Sequence, residues 1–328
     1  MWARLALVIA AIVATLTALE LAMRAIKPGG LSHWSNLVLE ARTVLAATEQ
    51  RRFEHSDRLG VVPRGGLRGG ERMRDGEAPL LAVGDSYTYG EEVGDSETWP
   101  AHLERALGRT VLNGGVSSYG FDQIVLRAEL LATERKPAMI AVAFIADDIH
   151  RTEMRRMWGA EKPYFDIVSD DLVLRNVPVP LSPDPRTTLT FSQRTLGYSH
   201  LFDFILRRLD LLHGWFGDHV RVHPVGAGER ISCLLTARLA ELQQRSSTPV
   251  LLVAQYDPVV WQDPVFAAEQ RRLTVGLLRC ATNRGLATID TFDALAARTA
   301  DMKRLYAFWH MSDEGNRLIA SVIAAKIR

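Results

Sequence analysis

Residues 80–90 read LLAVGDSYTYG, an apolar run of strand-forming residues that stops abruptly at Gly84-Asp85-Ser86. A hydroxyl residue at such a corner stands at the carboxyl edge of a sheet, where α/β folds gather their ligands. Ser86 is therefore a candidate nucleophile, and the chemistry it suggests is acyl transfer. A plainer reading is available, because Asp or Ser after a strand also caps the next helix. Three further segments bear on the choice. Residues 111–123, VLNGGVSSYGFDQ, run from a strand into small residues and then into a helix that starts near Asp122. Residues 139–148, MIAVAFIADD, form a buried-type strand that ends in Asp147 and Asp148. Residues 309–316, WHMSDEGN, place His310 just ahead of the last amphipathic pattern.

Taken together and in this order, the four segments resemble the sequence blocks of the GDSL-type esterases, the SGNH hydrolase superfamily, over residues 79–150 and 250–328. The resemblance implies Ser86 as nucleophile and His310 as general base. It implies an oxyanion hole from the N–H groups of Ser86 and Ser118 and from the side chain of Asp147, with Asp85, Asn113 and Asp148 in support. Three positions depart from the family pattern. Ser118 stands where the family has glycine, five residues after Asn113, and a serine keeps the N–H that is needed. Asp147 stands where the family has asparagine, and a carboxylate donates a hydrogen bond only when protonated, a state that burial beside Asp148 and near Asp85 would favour. Ala307 stands where the family has the aspartate that orients the histidine. His310 is then expected to act in a dyad, or to be oriented by a backbone carbonyl or by Asp290, Asp293 or Asp313. Residues 90–107 with Trp99-Pro100, and the stretches 162–165 and 176–180, are similar to a membrane-anchored bacterial branch of the superfamily.

These side chains need a frame, and the apolar runs 80–83, 110–112, 139–145, 250–255 and 287–289 alternate with helical patterns. Such alternation predicts a parallel sheet with helices on both faces, and the resemblance implies a three-layer α/β/α arrangement of flavodoxin-like order. About a hundred residues separate the third strand from the fourth, more than a crossover needs, so an insertion is expected at about 151–249. Its Arg151, Arg155, Arg156, Trp158 and Tyr164 either line a sugar-binding cleft or pack an extension onto the core. The apolar run 201–215 reads as core, being too short to span a bilayer and carrying Asp203, Arg207, Arg208 and Asp210. The expected division is an anchor at 1–27, a linker at 28–78 with an exposed glycine-rich loop at 64–70, and a hydrolase-like domain at 79–328.

The anchor is the apolar stretch 5–23, broken only by Glu20 and flanked by Arg4, Arg24 and Lys27. As a helix it reaches about 28 Å, close to one bilayer core. With no clear small-x-small cleavage site, an uncleaved anchor in the cytoplasmic membrane is expected, and by resemblance the domain lies on the extracytoplasmic side. The 328 residues are 47% hydrophobic, ample for a core, and a net charge of +1 gives no footprint for nucleic acid. Cys233 and Cys280 lack metal or redox spacing; they could pair in an oxidising compartment, but buried free thiols are expected. The histidines show no ligand spacing, so neither a metal nor a cofactor is expected. The expected function is a serine ester hydrolase acting on acyl esters, O-acetyl in particular, of cell-envelope or extracellular polysaccharide. The expected partners are a small-molecule or glycan ester substrate and the membrane. Alternatives are an O-acyltransferase to a glycan or a non-catalytic glycan-binding module. A lipase is less favoured, since no long apolar lid is evident.

Overall fold

All four residues of the strand Leu80–Val83 (β1) are buried, as an apolar run without alternation requires when both faces of a sheet are covered. The same holds for Val111–Asn113 (β2) and Val250–Ala254 (β4), and nearly so for Met139–Phe144 (β3). With Ala287–Asp290 (β5) they form one parallel sheet in the order β2-β1-β3-β4-β5, which is the expected flavodoxin-like order. The register pairs Ala82 with Asn113 on one side of β1 and Val83 with Val142 on the other. Successive side chains point to opposite faces. Leu81, Val83, Ile140 and Val142 thus join one core layer, packed with Phe121, Ile124, Leu235 and Leu277. Leu80, Ala82, Ala141 and Ala143 join the other, packed with Trp99, Leu103, Ile319 and Ile323. The helices that supply these layers include Trp99–Leu107 (α2), Phe121–Arg135 (α3), Ala227–Ser246 (α5), Pro264–Asn283 (α6) and Asp313–Ile327 (α7), and two short helices, Ser86–Tyr89 (α1) and Ala146–Arg151 (α4), follow β1 and β3.

The computed structural model describes residues 1–26, 31, 34–70, 76–182, 184, 188–209, 211–298 and 302–327. It divides into two units, one of residues 52–181 and 221–328 and one of residues 1–51 and 182–220. The first unit extends further toward the N-terminus than the expected boundary at residue 79. Phe53–Ser56 and Gly60–Pro63 form an antiparallel hairpin, and Phe53, Leu59 and Leu67 are buried in the sheet core, so this part of the expected linker is domain. The expected insertion at 151–249 is not one body either. Residues 154–175 make small antiparallel pairs in the first unit, 182–220 belong to the second, and α5 is a layer of the sandwich itself. Cys233 on α5 and Cys280 on α6 form a disulfide, in place of the free thiols expected.

In the second unit the helix Trp2–Ala25 is long and apolar enough to cross a membrane, with a mean hydropathy of 2.3 over its most apolar window and none of that window buried. Its two charged residues near the end are engaged within the unit. Glu20 accepts hydrogen bonds from Ser199 Oγ at 2.8 Å and from the N–H groups of His200 at 3.0 Å and Leu201 at 2.9 Å, at the start of the helix His200–Arg208. Arg24 is buried, pairs with Glu20 at 2.8 Å and donates to the carbonyl of Tyr198. The run 201–215 was expected to be core, and the structure differs: Phe204, Ile205, Leu209 and Leu211 are exposed, while His200 and Asp203 are buried.

Candidate active site

The sharp exit from β1 depends on Gly84. A Cβ there would lie 2.1 Å from Thr88 Oγ1 and 2.8 Å from the carbonyl of Ala143, so only glycine lets the chain pass. Asp85 then caps α1, its carboxylate accepting from the N–H of Tyr87 at 2.9 Å. The capping reading is thus true of Asp85, which leaves Ser86 free for other work. Ser86 Oγ lies 2.9 Å from Nε2 of His310, which the turn before α7 presents from the far end of the sequence. That turn is closed by the N–H of Ala307 donating to the carbonyl of His310 at 2.9 Å, and Tyr87 Oη donates to the carbonyl of Trp309 at 2.7 Å. Serine and histidine stand in the geometry of a nucleophile with its base.

The group facing the other imidazole nitrogen is Glu92, which the sequence did not single out. Its Oε1 is 3.2 Å from Nδ1 of His310, within ion-pair reach though off the line of an ideal N–H hydrogen bond. The same carboxylate accepts from the N–H groups of Phe308 at 2.8 Å, Trp309 at 3.2 Å and His310 at 3.3 Å. Burial alone would raise its pKa, but these hydrogen bonds and the imidazole outweigh it and hold Glu92 below the ordinary glutamate value. Glu92 sits at φ +69°, a left-handed conformation uncommon outside glycine and often found at functional sites. The carboxylates expected to orient His310 are engaged elsewhere or remote. Asp290 pairs with Arg271 at 2.6 Å, Asp313 with His102 at 2.8 Å, and Asp293 is exposed on the helix Phe292–Ala296.

The expected oxyanion positions lie at the ends of β2 and β3, the two strands that flank β1. Ser118 adopts φ +68°, a left-handed conformation that glycine enters at no steric cost, and its backbone lies in the loop that Asn113 braces. Asn113 accepts from the N–H of Gly115 at 3.0 Å and donates to the carbonyl of Thr88 at 2.9 Å. Asp147 is half-buried on α4, in place of the burial expected for it. Asp148 and Asp85 are fully buried and share Arg151, at 2.7 Å and 3.6 Å respectively. Burial pushes both pKa values up, that of Asp148 well up because Asp85 also faces it, and Arg151 opposes the rise. The same fold accounts for other residues proposed to line a sugar cleft. Arg151 is spent on this buried pair, and Arg156 and Arg155 bind Glu161, at 2.7 Å and 3.3 Å, with Arg155 still partly exposed. Lys162 is buried against Asp122 at 2.5 Å, which gives the 162–165 stretch a structural role.

Beside His310 opens a cavity of about 670 Å³ lined by Arg52, Arg68, Glu91, Glu92, Glu97 and glycines 90 and 94 among others. Arg52 is paired with Glu91 and Arg68 with Asp95, and both guanidinium groups lie over the ring of Tyr89, at 4.9 Å and 4.4 Å. Phe308 and Trp309, next to His310, are exposed and meet edge to face at 5.1 Å. In the other unit, His213, Asp218 and His219 hold potential metal-ligand atoms within 4.8 Å of one another, a grouping the sequence spacing did not reveal. The two imidazoles stack at 4.1 Å and His213 Nδ1 faces Asp218 at 3.2 Å, so a metal would have to part the stacked rings.

A family model described as GDSL-like lipase/acylhydrolase matches residues 82–318. Among solved structures, the chain is similar to an alpha/beta hydrolase enzyme from the metagenome of Lake Arreo, Spain, with 16% identity, 76% of this chain and 94% of that one covered, and a TM-score of 0.45. It is similar to a catalytic mutant of an acetylxylan esterase from Geobacillus stearothermophilus, with 15% identity, coverage of 78% and 96%, and a TM-score of 0.43. It is also similar to a member of the lipolytic G-D-S-L family from Veillonella parvula, with 12% identity, coverage of 76% and 97%, and a TM-score of 0.42. No curated protein matches the sequence.

Proposed function

The chain belongs to the GDSL-like lipase/acylhydrolase family, and from that premise we propose that it is a serine ester hydrolase working through Ser86, His310 and Glu92. The observation that carries the reading is the 2.9 Å contact of Ser86 Oγ with His310 Nε2, backed by Glu92 at 3.2 Å from Nδ1. His310 takes the hydroxyl proton as Oγ attacks the ester carbonyl, and the carbonyl oxygen gains the negative charge of a tetrahedral intermediate. The N–H groups of Ser86 and Ser118 receive that charge. The intermediate collapses, the imidazolium protonates the departing alkoxide, and an acyl-serine remains. Water, deprotonated by His310, then attacks the acyl carbon and restores Ser86. Glu92 holds the imidazole and offsets its charge while it is protonated.

The walls of the site support one substrate class. Arg52, Arg68, Glu91, Glu92 and Glu97 place charged groups in the wall of the cavity beside His310, and the exposed Phe308 and Trp309 offer faces for stacking a sugar ring. Such walls suit the ester of a hydroxyl-rich substrate better than a long acyl chain, which supports O-acetyl esters of cell-envelope or extracellular polysaccharide. A membrane anchor and an extracytoplasmic site fit the same substrate, and the Cys233–Cys280 disulfide supports an oxidising compartment. A glycan hydroxyl in place of water would make the enzyme an O-acyltransferase. The test is labelling of the detergent-solubilised chain with a fluorophosphonate probe. Labelling that is lost in both Ser86→Ala and His310→Ala supports the reading. Folded wild-type protein that stays unlabelled across the neutral range would leave a non-catalytic glycan-binding module as the better account.

A further inference from the structure

We propose that the exposed apolar face of residues 191–211 lies in the headgroup region of a phospholipid bilayer, beside the end of the N-terminal helix. The proposal rests on the reading of Trp2–Ala25 as membrane-spanning. A helix on a water-facing surface turns its apolar residues inward and its polar residues outward. Both helices here depart from this in part, burying a polar residue and exposing large apolar ones beside their arginines. In Phe191–Leu196 the polar Gln193 is 6% exposed while Phe191 is 83% exposed. In His200–Arg208 the inward positions are His200 and Asp203 with Leu206, and Phe204 and Ile205 face outward, followed by exposed Leu209 and Leu211. The inward polar groups have partners: Gln193 Nε2 donates to the carbonyl of Trp215 at 2.5 Å, and Asp203 binds Arg207 at 2.8 Å. What faces out is therefore a surface of large apolar side chains set among Arg194, Arg207 and Arg208.

Depth decides the occupant. Glu20 holds the first N–H groups of the helix His200–Arg208, so this helix starts at the level of residue 20 of the N-terminal helix. Residues 2–19 rise about 27 Å, close to the thickness of the hydrocarbon core at about 30 Å. The end of the span, and with it the apolar face, thus falls at the boundary of the bilayer. The side chains there are of the boundary type. Trp34 is exposed and lies 4.1 Å from the Arg24 guanidinium, Tyr198 is exposed, and Arg208 lies over the ring of Phe204 at 5.4 Å. Aromatic rings settle at headgroup level, and arginines there reach anionic phosphates while their stems stay in apolar surroundings.

The experiment reconstitutes the full chain in bilayers of phosphatidylethanolamine and phosphatidylglycerol, with the photoreactive residue p-benzoylphenylalanine placed singly at Ile12, Phe204, Leu211 or Val265. Val265 is exposed on α6 in the other unit and serves as the exposed apolar control outside the proposed face. Irradiation followed by mass spectrometry should give lipid adducts at Ile12, Phe204 and Leu211 and none at Val265. Lipid adducts at Ile12 without any at Phe204 and Leu211 would overturn the proposal while sparing the membrane-spanning reading, and cross-links to a second copy or another protein at those sites would do the same. Absence of adducts at Ile12 would overturn the membrane-spanning reading and the proposal with it.

Discussion

Glu92 serves the site twice, by facing Nδ1 of His310 and by tying down three consecutive N–H groups of the turn that carries it. Glu92→Gln keeps an acceptor for the turn but removes the charge that supports the imidazolium. It is expected to lower kcat by about 10²–10⁴-fold with little change in KM, measured with a chromogenic acetyl ester. Loss of fold instead would show in circular dichroism and would contradict the assignment. Asp147 makes the opposite prediction. A carboxylate at the place of an oxyanion donor opposes the developing charge, so Asp147→Asn should raise kcat, by as much as about 10²-fold if the new amide completes the hole. An inactive, folded Asn variant would remove Asp147 from the oxyanion site. Ser86 and His310 could be read from the sequence because each ends or precedes an element at a fixed place in the fold. Glu92 could not, since no spacing rule joins residue 92 to residue 310; only the folded turn brings the two together, and its left-handed φ cannot be read from a glutamate codon.

At the scale of elements, four strands were legible because buried parallel strands are largely apolar runs, and the ends of these and of the part-exposed edge strand Ala287–Asp290 fell within a residue or two of the expected ones. The hairpin of FEHS with GVVP was not, because four-residue strands with mixed polarity carry too little periodicity to separate them from a linker. The loop after β2 stores strain that can be measured. Ser118 holds φ +68°, so Ser118→Gly should stabilise the protein by about 1 kcal/mol, seen as a rise in Tm of a few degrees, with activity retained because the N–H stays. The loop after β4 gives a pH dependence. Burial, with the charge of Asp147 adding to it, pushes Asp257 up to about 6 against the hydrogen bond from the N–H of Val259. Between about pH 4 and 6 the folded chain keeps a proton that the unfolded chain has released, so stability falls as pH rises through this window. Asp257→Asn should remove that fall, by roughly 3 kcal/mol at most, and thermal midpoints at about pH 4 and 7 in both proteins check it.

The whole molecule combines a sheet that positions chemistry with a second unit whose sequence misled. The run 201–215 carries enough charge to read as an ordinary core helix, and only its folded contacts show that Asp203 turns inward while Phe204 and Ile205 turn outward beside Arg207 and Arg208. The disulfide between α5 and α6 closes a loop of 47 residues. Replacing both cysteines by serine should cost about 2–4 kcal/mol, read as a lower thermal midpoint that added reductant does not lower further. The binding of Glu20 to the start of the helix His200–Arg208 bears on maturation. A leader peptide is discarded after it has delivered its cargo, and the fold of what remains cannot depend on it. Here, a cut beyond residue 20 would strip three donors of their acceptor and Arg24 of its counter-charge. Removing the helix would therefore unsettle the unit it belongs to, and a chain cut after residue 25 should show a lower thermal midpoint than the full chain.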